Sequence, residues 1–178
     1  MSSPSAFAIW ITGLPASGKS TITRTLVEKL KERGVQVAVL ESDVLRHVLA
    51  DEPRYEEDNR DPFYRAMVWI GTLLVEHGVS VVFDATANLG RYRERARTEI
   101  PRYLEVYVDT SLTICIDRDP KGIYQNAMEG EGDSVPGLGA AYEPPENPDV
   151  IVAGDTETPE QSAGRILDAL RARGYLAE

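Results

Sequence analysis

The chain has 178 residues, 42% of them hydrophobic and 27% charged, which gives enough apolar material for one buried core and argues against wholesale disorder. Its 19 Lys and Arg face 29 Asp and Glu, a formal charge of −10, so general binding to nucleic acid or to an anionic membrane is not expected. The single cysteine, Cys115, excludes an intrachain disulfide, and with only His47 and His77 beside it a structural zinc cluster is not expected.

The first apolar run, Ala6–Ile11, is too short to span a bilayer and lacks a basic flank, so no membrane partner and a cytoplasmic location are expected. The run is rich in strand formers and is broken by Gly13, as a strand buried on both faces would be. Lys19–Arg33 follows, with Ile22, Leu26, Val27 and Leu30 at helical spacing and Gly34 as a stop. Val35–Leu40 is a second strand. Strand, helix, strand predicts a parallel sheet with a right-handed crossover.

The pattern continues with a short helix over Val44–Leu49, a polar loop over Asp51–Asp61 and a helix over Phe63–Glu76 with Met67 and Trp69 in the core. A third strand over Val79–Phe83 precedes a charged, exposed helix over Arg91–Arg97. Leu104–Val108 is a fourth strand, with Cys115 in a following apolar stretch as a small core residue, and Asp149–Ala153 is a fifth. Pro159–Arg173 closes the chain as a helix with Pro in its first turn. One stretch breaks the rhythm. Between Glu129 and Glu160 lie nine acids, no Lys or Arg, and ten of the 25 Gly and Pro residues. A solvated loop of that length inside a compact domain is commonly a lid or a binding loop. The whole chain, 1–178, is read as one domain.

Gly13-Leu-Pro-Ala-Ser-Gly18-Lys19-Ser20 matches the phosphate-binding pattern G-x-x-x-x-G-K-[ST], with a strand before it and a helix after it. Gly13, Ala16, Ser17, Gly18, Lys19, Ser20 and Thr21 form the candidate nucleotide site. The glycines let the backbone approach phosphates, the amides at the helix start point at anions, Lys19 supplies a mobile charge and Ser20 a hydroxyl for Mg²⁺. No Asn is followed by Lys, so the guanine-reading N-K-x-D is absent and ATP is the expected nucleotide.

Asp43 follows the second strand, at the edge where parallel sheets hold ligands. It can deprotonate an acceptor hydroxyl, hold Mg²⁺ through water, or cap the short helix. Arg46, Arg60 and Arg65 are candidates for gripping an anionic acceptor, or plain surface residues. Asp84, at the end of a buried strand, suits a second Mg²⁺-water contact or a contact to the acceptor, or a simple cap. His47 and His77 are read as surface or packing residues.

Further along, Glu105-Val-Tyr-Val-Asp, Arg118-Asp-Pro-Lys-Gly-Ile-Tyr124 and Tyr142-Glu-Pro-Pro-Glu-Asn-Pro148 resemble segments of the adenylyl-sulfate (APS) kinase family in order and spacing. Glu41-Ser-Asp43-Val-Leu-Arg46-His47 resembles that family's D-G-D-N-x-R-H, and Glu57-Asp58-Asn59-Arg60 approximates its E-D-R. The resemblance implies a three-layer α/β P-loop fold with a five-stranded parallel sheet in the order 2-3-1-4-5. It implies transfer of the ATP γ-phosphate to the 3′-hydroxyl of adenylyl sulfate, with ATP and Mg²⁺ as cofactors and a homodimer as the assembly.

It also implies Asp43 as base for the substrate 3′-hydroxyl. With Lys19 and Ser20 from the phosphate-binding loop and Asp84 from its strand end, the catalytic candidates are Asp43 and Lys19 and the metal candidates Ser20, Asp43 and Asp84. Arg46 and Arg60 would contact phosphosulfate, with Tyr55 and Tyr142 among the substrate residues and Tyr55 able to stack on a base. Arg118 and Lys121 would sit on a lid over about 118–147 that closes on both nucleotides.

The chain departs from the family where substrate should bind. Ser-Pro-Tyr-Arg after the third strand is replaced by Asp84-Ala-Thr-Ala-Asn-Leu-Gly90, one clamp aromatic by Val135, an Asp by Gly139 and an Asn by Phe63. Asp-Ala-Thr resembles P-loop kinases of sugars and polynucleotide ends. Two other functions therefore stand beside the first: a kinase of another small anionic alcohol, and a nucleotide-binding regulatory module without transfer.

Overall fold

The computed structural model describes residues 6–49, 57–130 and 134–177. In chain order the elements are β1 (Ala8–Thr12), α1 (Lys19–Glu32), β2 (Val37–Glu41), α2 (Ser42–Leu49), α3 (Glu57–Glu76), β3 (Ser80–Asp84) and α4 (Gly90–Glu99). There follow β4 (Tyr103–Asp109), α5 (Leu112–Arg118), α6 (Ile123–Met128), β5 (Val135–Pro136), β6 (Gly139–Ala140), β7 (Val150–Ala153) and α7 (Pro159–Ala172).

Five strands form one parallel sheet in the order β2-β3-β1-β4-β7. This is the expected order, with β7 as fifth strand because the two-residue pair β5–β6 intervenes in the chain. Side chains alternate across a strand, so β1 builds two cores at once. Ile9 and Ile11 meet Ile22, Leu26 and Leu30 of α1 and Ile166, Leu167 and Leu170 of α7 on one face. Ala8 and Trp10 meet Tyr64, Met67 and Val68 of α3 and Tyr92 and Ala96 of α4 on the other. That is the three-layer α/β architecture. The helix starts carry their own signals. Thr158 and Gln161 make a reciprocal capping box at α7, with Pro159 in the first turn.

Several expectations change. The polar segment read as a loop through Asp61 is helical from Glu57 onward. Pro62 lies inside α3 and removes one hydrogen bond near its start; the apolar face from Phe63 onward holds the helix regardless. That face is Tyr64, Met67, Val68, Gly71 and Val75, which leaves Trp69 on the opposite side and 62% exposed rather than in the core. Gly71 is the point of closest approach, since a β-carbon there would lie 2.2 Å from the Phe83 ring.

The charged helix α4 is not simply exposed. Tyr92, Arg93 and Ala96 are buried along one stripe. Helices α5 and α6 were not anticipated; the Asp119-Pro-Lys-Gly turn is the joint between them, with Asp119 Oδ2 accepting from the amides of Tyr124 and Gln125. The described acids of the 129–160 tract are mostly exposed, as expected of a solvated loop, with Asp149 as an exception. The Asp149 side chain is 6% exposed and accepts from the Glu105 amide, while Arg97 and Arg173 pair with it. No helix among the described residues is long and apolar enough to cross a membrane.

Candidate active site

The loop between β1 and α1 is fixed by close approaches. A β-carbon at Gly13 would lie 2.7 Å from both Ser17 Oγ and Val108 O, so only glycine fits beneath the turn. Gly18, at φ 106°, occupies the left-handed region that starts α1. The loop opens onto a cavity of about 1060 Å³. Ala16, Ser17, Gly18, Lys19, Ser20, Thr21, Asp43, Arg46, Arg60, Asp84, Arg118 and Lys121 all line it. The strand ends, the helix starts and residues 118–121, Ile123, Asn126 and 134–136 therefore converge on one space. Gly13 lies behind its wall. Tyr55 lies outside the described residues.

Lys19 is 8% exposed, and its ammonium donates to Gly13 O at 3.1 Å and Leu14 O at 2.8 Å. Burial lowers its pKa, and the negative charges of Asp84 and Asp43 oppose that shift. Asp84 ends β3 in register with Ile11 of β1 and Glu41 of β2. It is 5% exposed, and its Oδ2 has no hydrogen-bond partner among the described residues. Burial raises its pKa, opposed by Lys19 and by a hydrogen bond from Ser20.

A buried carboxylate oxygen without a donor, beside a serine hydroxyl, is a hard-oxygen environment that fits a hydrated divalent cation. Among the described residues no three His, Cys, Asp or Glu side chains form a metal cage, so such an ion would complete its shell with phosphate and water.

Asp84 also makes a thermal prediction. Its carboxyl holds a proton to higher pH in the fold than its ordinary 3.8, so the folded chain binds more protons. Stability then falls as pH rises from the ordinary value through the raised one. Asp84→Asn is expected to raise the melting temperature of the ligand-free protein at neutral pH, and the gain should vanish below pH 3.8. Calorimetry across pH checks this; an unchanged or lowered melting temperature at pH 7 refutes it.

Asp43, in the first turn of α2, lies exposed with Oδ2 2.6 Å from Lys121 Nζ. The exposed acid and the exposed ammonium thus meet across the cavity from two different segments. Arg46 and Arg60 are each 6% exposed. Arg46 stacks on Phe63, its guanidinium carbon 3.8 Å from the ring centroid, so the Phe at that departure from the family forms a platform for the arginine. Arg60 donates to Ser134 O at 3.2 Å. Arg65 is exposed and does not line the cavity.

Arg118 donates to Gly154 O at 2.9 Å, and Tyr124 to Pro15 O at 3.0 Å, tying α5 and α6 to the loop region. Val135 is buried with Cys115 and Tyr124 while also lining the cavity. His47 and His77 are exposed, each bonded to the carbonyl four residues before it.

Tyr142 is placed differently from the other substrate candidates. It does not line the cavity; its ring stacks on Tyr107 at 6.4 Å. Thr12 gives its hydroxyl proton to Thr86 O at 2.6 Å, so the 3.2 Å contact between Tyr142 and Thr12 is a donation by the tyrosine.

What sequence reasoning missed is the bracing beneath. Arg93 is 3% exposed and donates to Glu105 Oε1 at 2.9 Å, to Glu143 O at 2.7 Å and to Ala87 O. Arg97 reaches Glu105 Oε2 at 2.9 Å. The helical spacing of Tyr92, Arg93 and Ala96 is the signal that could have placed Arg93 on the inner face.

Known proteins match this chain over nearly its full length. The family profile described as "Adenylylsulphate kinase" matches residues 5–153. An adenylyl-sulfate kinase of Microcystis aeruginosa is 38% identical over 168 residues, which span 94% of this chain and 93% of that one. A probable adenylyl-sulfate kinase of Pyrococcus abyssi is 36% identical over 170 residues, 96% of this chain and 98% of that one.

Among solved structures, the Mycobacterium tuberculosis APS kinase in complex with AMPPNP and APS superposes with a TM-score of 0.88 at 33% identity, covering 94% of this chain and 99% of that chain. A gluconokinase of Sinorhizobium meliloti, at 18% identity and TM-score 0.61 over 96% of this chain and 94% of its own, shares the fold alone. With the loop, the strand-end acids and the buried arginines around one cavity, and with relatives matched end to end at this identity, the chain belongs to the adenylylsulphate kinase family.

Proposed function

We propose that the chain transfers the γ-phosphoryl group of ATP to the 3′-hydroxyl of adenylyl sulfate, giving 3′-phosphoadenylyl sulfate and ADP. The observation that carries this is the shared cavity: Lys19 and Ser20 on one side, Asp43, Arg46 and Arg60 on the other. Asp43 accepts the hydroxyl proton as the 3′-oxygen bonds to the γ-phosphorus and the bond to the β–γ bridging oxygen breaks, leaving ADP.

Lys19 moves from the loop carbonyls to the phosphates, which replaces two neutral acceptors with anions. Ser20, with Asp43 and Asp84 through water, would hold Mg²⁺, which would supply charge neutralisation for the transferring phosphates. Arg46 and Arg60 hold the phosphosulfate, and Arg118 with Lys121 covers the nucleotides from a lid over about 118–147. Tyr142 acts from behind the wall, through Thr12 and the Thr86 carbonyl, on the segment that follows Asp84.

The test is ADP release with Mg-ATP, with and without low-micromolar adenylyl sulfate, with Lys19→Ala as blank. Stimulation absent from the blank is expected. Measurable ATP binding without stimulation overturns the acceptor assignment. The second reading, a kinase of another small anionic alcohol, is favoured by the buried Asp84 and the remodelled segment around it. Faster turnover of such an alcohol than of adenylyl sulfate would establish it. The regulatory-module reading requires ATP binding with no ADP from any acceptor.

The chain is proposed to work as a single domain in the cytoplasm and as a homodimer. Support for a second copy comes from α2 and α3, which touch and expose Val44 at 57%, Val48 at 74% and Trp69 at 62%. Trp69→Glu together with Val48→Glu is expected to halve the mass seen by sedimentation. A monomeric wild type would refute the assembly.

A further inference from the structure

The segment leaving β3, where this chain departs from its family, is buried and closely hydrogen-bonded, and it carries a polar group the scheme above does not use. Ala87 is fully buried at φ 42°, a left-handed conformation that non-glycine residues adopt only when surroundings impose it. The surroundings here are specific: its amide donates to Tyr64 Oη at 3.1 Å, and its carbonyl accepts from Arg93. The next residue, Asn88, is thereby fixed. Its backbone carbonyl accepts from the Glu143 amide at 2.7 Å, and its side-chain Nδ2 donates to Ala141 O at 3.0 Å.

Since a carbonyl can only accept, that bond settles which way the amide is turned. The other branch, Oδ1, is buried and has no partner among the described residues. Asn88 as a whole is 5% exposed and lines the cavity with Arg46, Arg60, Tyr64 and Thr86.

Resting on the kinase reading, we propose that Asn88 is a specificity-determining residue whose side-chain carbonyl accepts a hydrogen bond from a neutral N–H or O–H donor on the acceptor, away from the reacting hydroxyl. The arginines select the acceptor's anion and Asn88 a donor. In adenylyl sulfate that donor is the exocyclic amine of adenine or the ribose 2′-hydroxyl. A buried acceptor that is left unpaired rejects ligands lacking the donor, which is how a site of this kind discriminates.

The experiment compares kcat/KM for adenylyl sulfate, its 6-oxo (inosine) analogue and its 2′-deoxy analogue. Wild type is expected to disfavour one analogue by about tenfold or more, and which one identifies the donor. Asn88→Ala should bring the three within about twofold of one another. Glu143→Ala, which loosens the neighbouring bond to the Gly90 amide without touching the Asn88 oxygen, should keep the preference.

Equal losses for all three acceptors in Asn88→Ala, or loss of preference in Glu143→Ala, would mean that the residue only braces the segment and would overturn the proposal. Should Asn88→Ala not fold, equal turnover of the three by wild type overturns it as well. If wild type transfers phosphate to none of them, calorimetric affinities of the ADP-loaded protein replace turnover: equal affinities overturn the role of Asn88 alone, and no binding overturns both readings.

Discussion

Asp43→Ala is expected to reduce turnover with adenylyl sulfate by about 10²–10⁴, the usual contribution of a positioned general base, while ATP affinity stays near wild type. Position supports the size of the effect. Asp43 stands at the first turn of α2, across the cavity from the loop that carries Lys19, so an acceptor hydroxyl and a γ-phosphate can meet between them.

Its 2.6 Å contact with Lys121 adds a second arm. While the ammonium occupies that oxygen an acceptor hydroxyl cannot, so Lys121 must leave Asp43 as substrate enters. Lys121→Ala should therefore raise the KM for the acceptor more than it lowers kcat, in contrast to Asp43→Ala. Single-turnover kinetics with saturating ATP separates the two. Turnover of Asp43→Ala within threefold of wild type would remove the residue from the chemistry.

The largest expected effect on stability is at Arg93. Its side chain is 3% exposed and that of its partner Glu105 is 9% exposed. Removing one member of a buried ion pair typically costs 3–5 kcal/mol, because the remaining charge is stranded. Arg93→Met keeps most of the volume, yet strands the carbonyls of Ala87 and Glu143 as well as one Glu105 oxygen.

Arg97 still reaches the other Glu105 oxygen at 2.9 Å, so we expect about 3 kcal/mol, the low end of that range. Urea unfolding of Arg93→Met, Glu105→Leu and the double variant checks it. The double variant should be more stable than the sum of the singles predicts. A cost below 1 kcal/mol for Arg93→Met would show that Arg97 and solvent suffice. The network joins α4, β4, β7's approach and α7, since Asp149 takes both Arg97 and Arg173. Its loss should also loosen the Glu143 strap beside the cavity.

The nucleotide half of the site was legible because its chemistry is contiguous. Seven neighbouring residues between Gly13 and Thr21 carry both the backbone geometry and the charges, and a strand before them and a helix after them suffice to place them. Asp43 and Asp84 were legible for a related reason: Asp84 ends one parallel strand and Asp43 lies two residues beyond the end of its neighbour, and parallel strands share one ligand edge.

Legibility failed where a residue's role depends on partners far along the chain. Arg93 looked like one more surface arginine on a charged helix, but its partners are 12 and 50 residues away. Tyr142 gave no hint that it would reach Thr12, 130 residues earlier. Phe63 read as the loss of a polar contact, and only the fold shows it supporting Arg46. Helices α5 and α6 escaped because each is shorter than two full turns, too short for apolar periodicity to register. Trp69 was misplaced by one position of helical phase, which is enough to turn a residue from sheet to solvent.

The contrast between the two tryptophans has a spectroscopic consequence. Trp10 is fully buried, stacked on Phe83 with ring centroids 4.6 Å apart, and its indole N–H donates to Ala85 O at 3.1 Å. Trp69 is open to water. The single chain thus carries two separable fluorophores: a blue-emitting one shielded from iodide and a red-emitting one that iodide quenches until a second copy covers it. Trp69→Phe leaves a single emitter bonded to the residue that follows Asp84. Its wavelength and lifetime would register ligand arrival at that strand end without any added label.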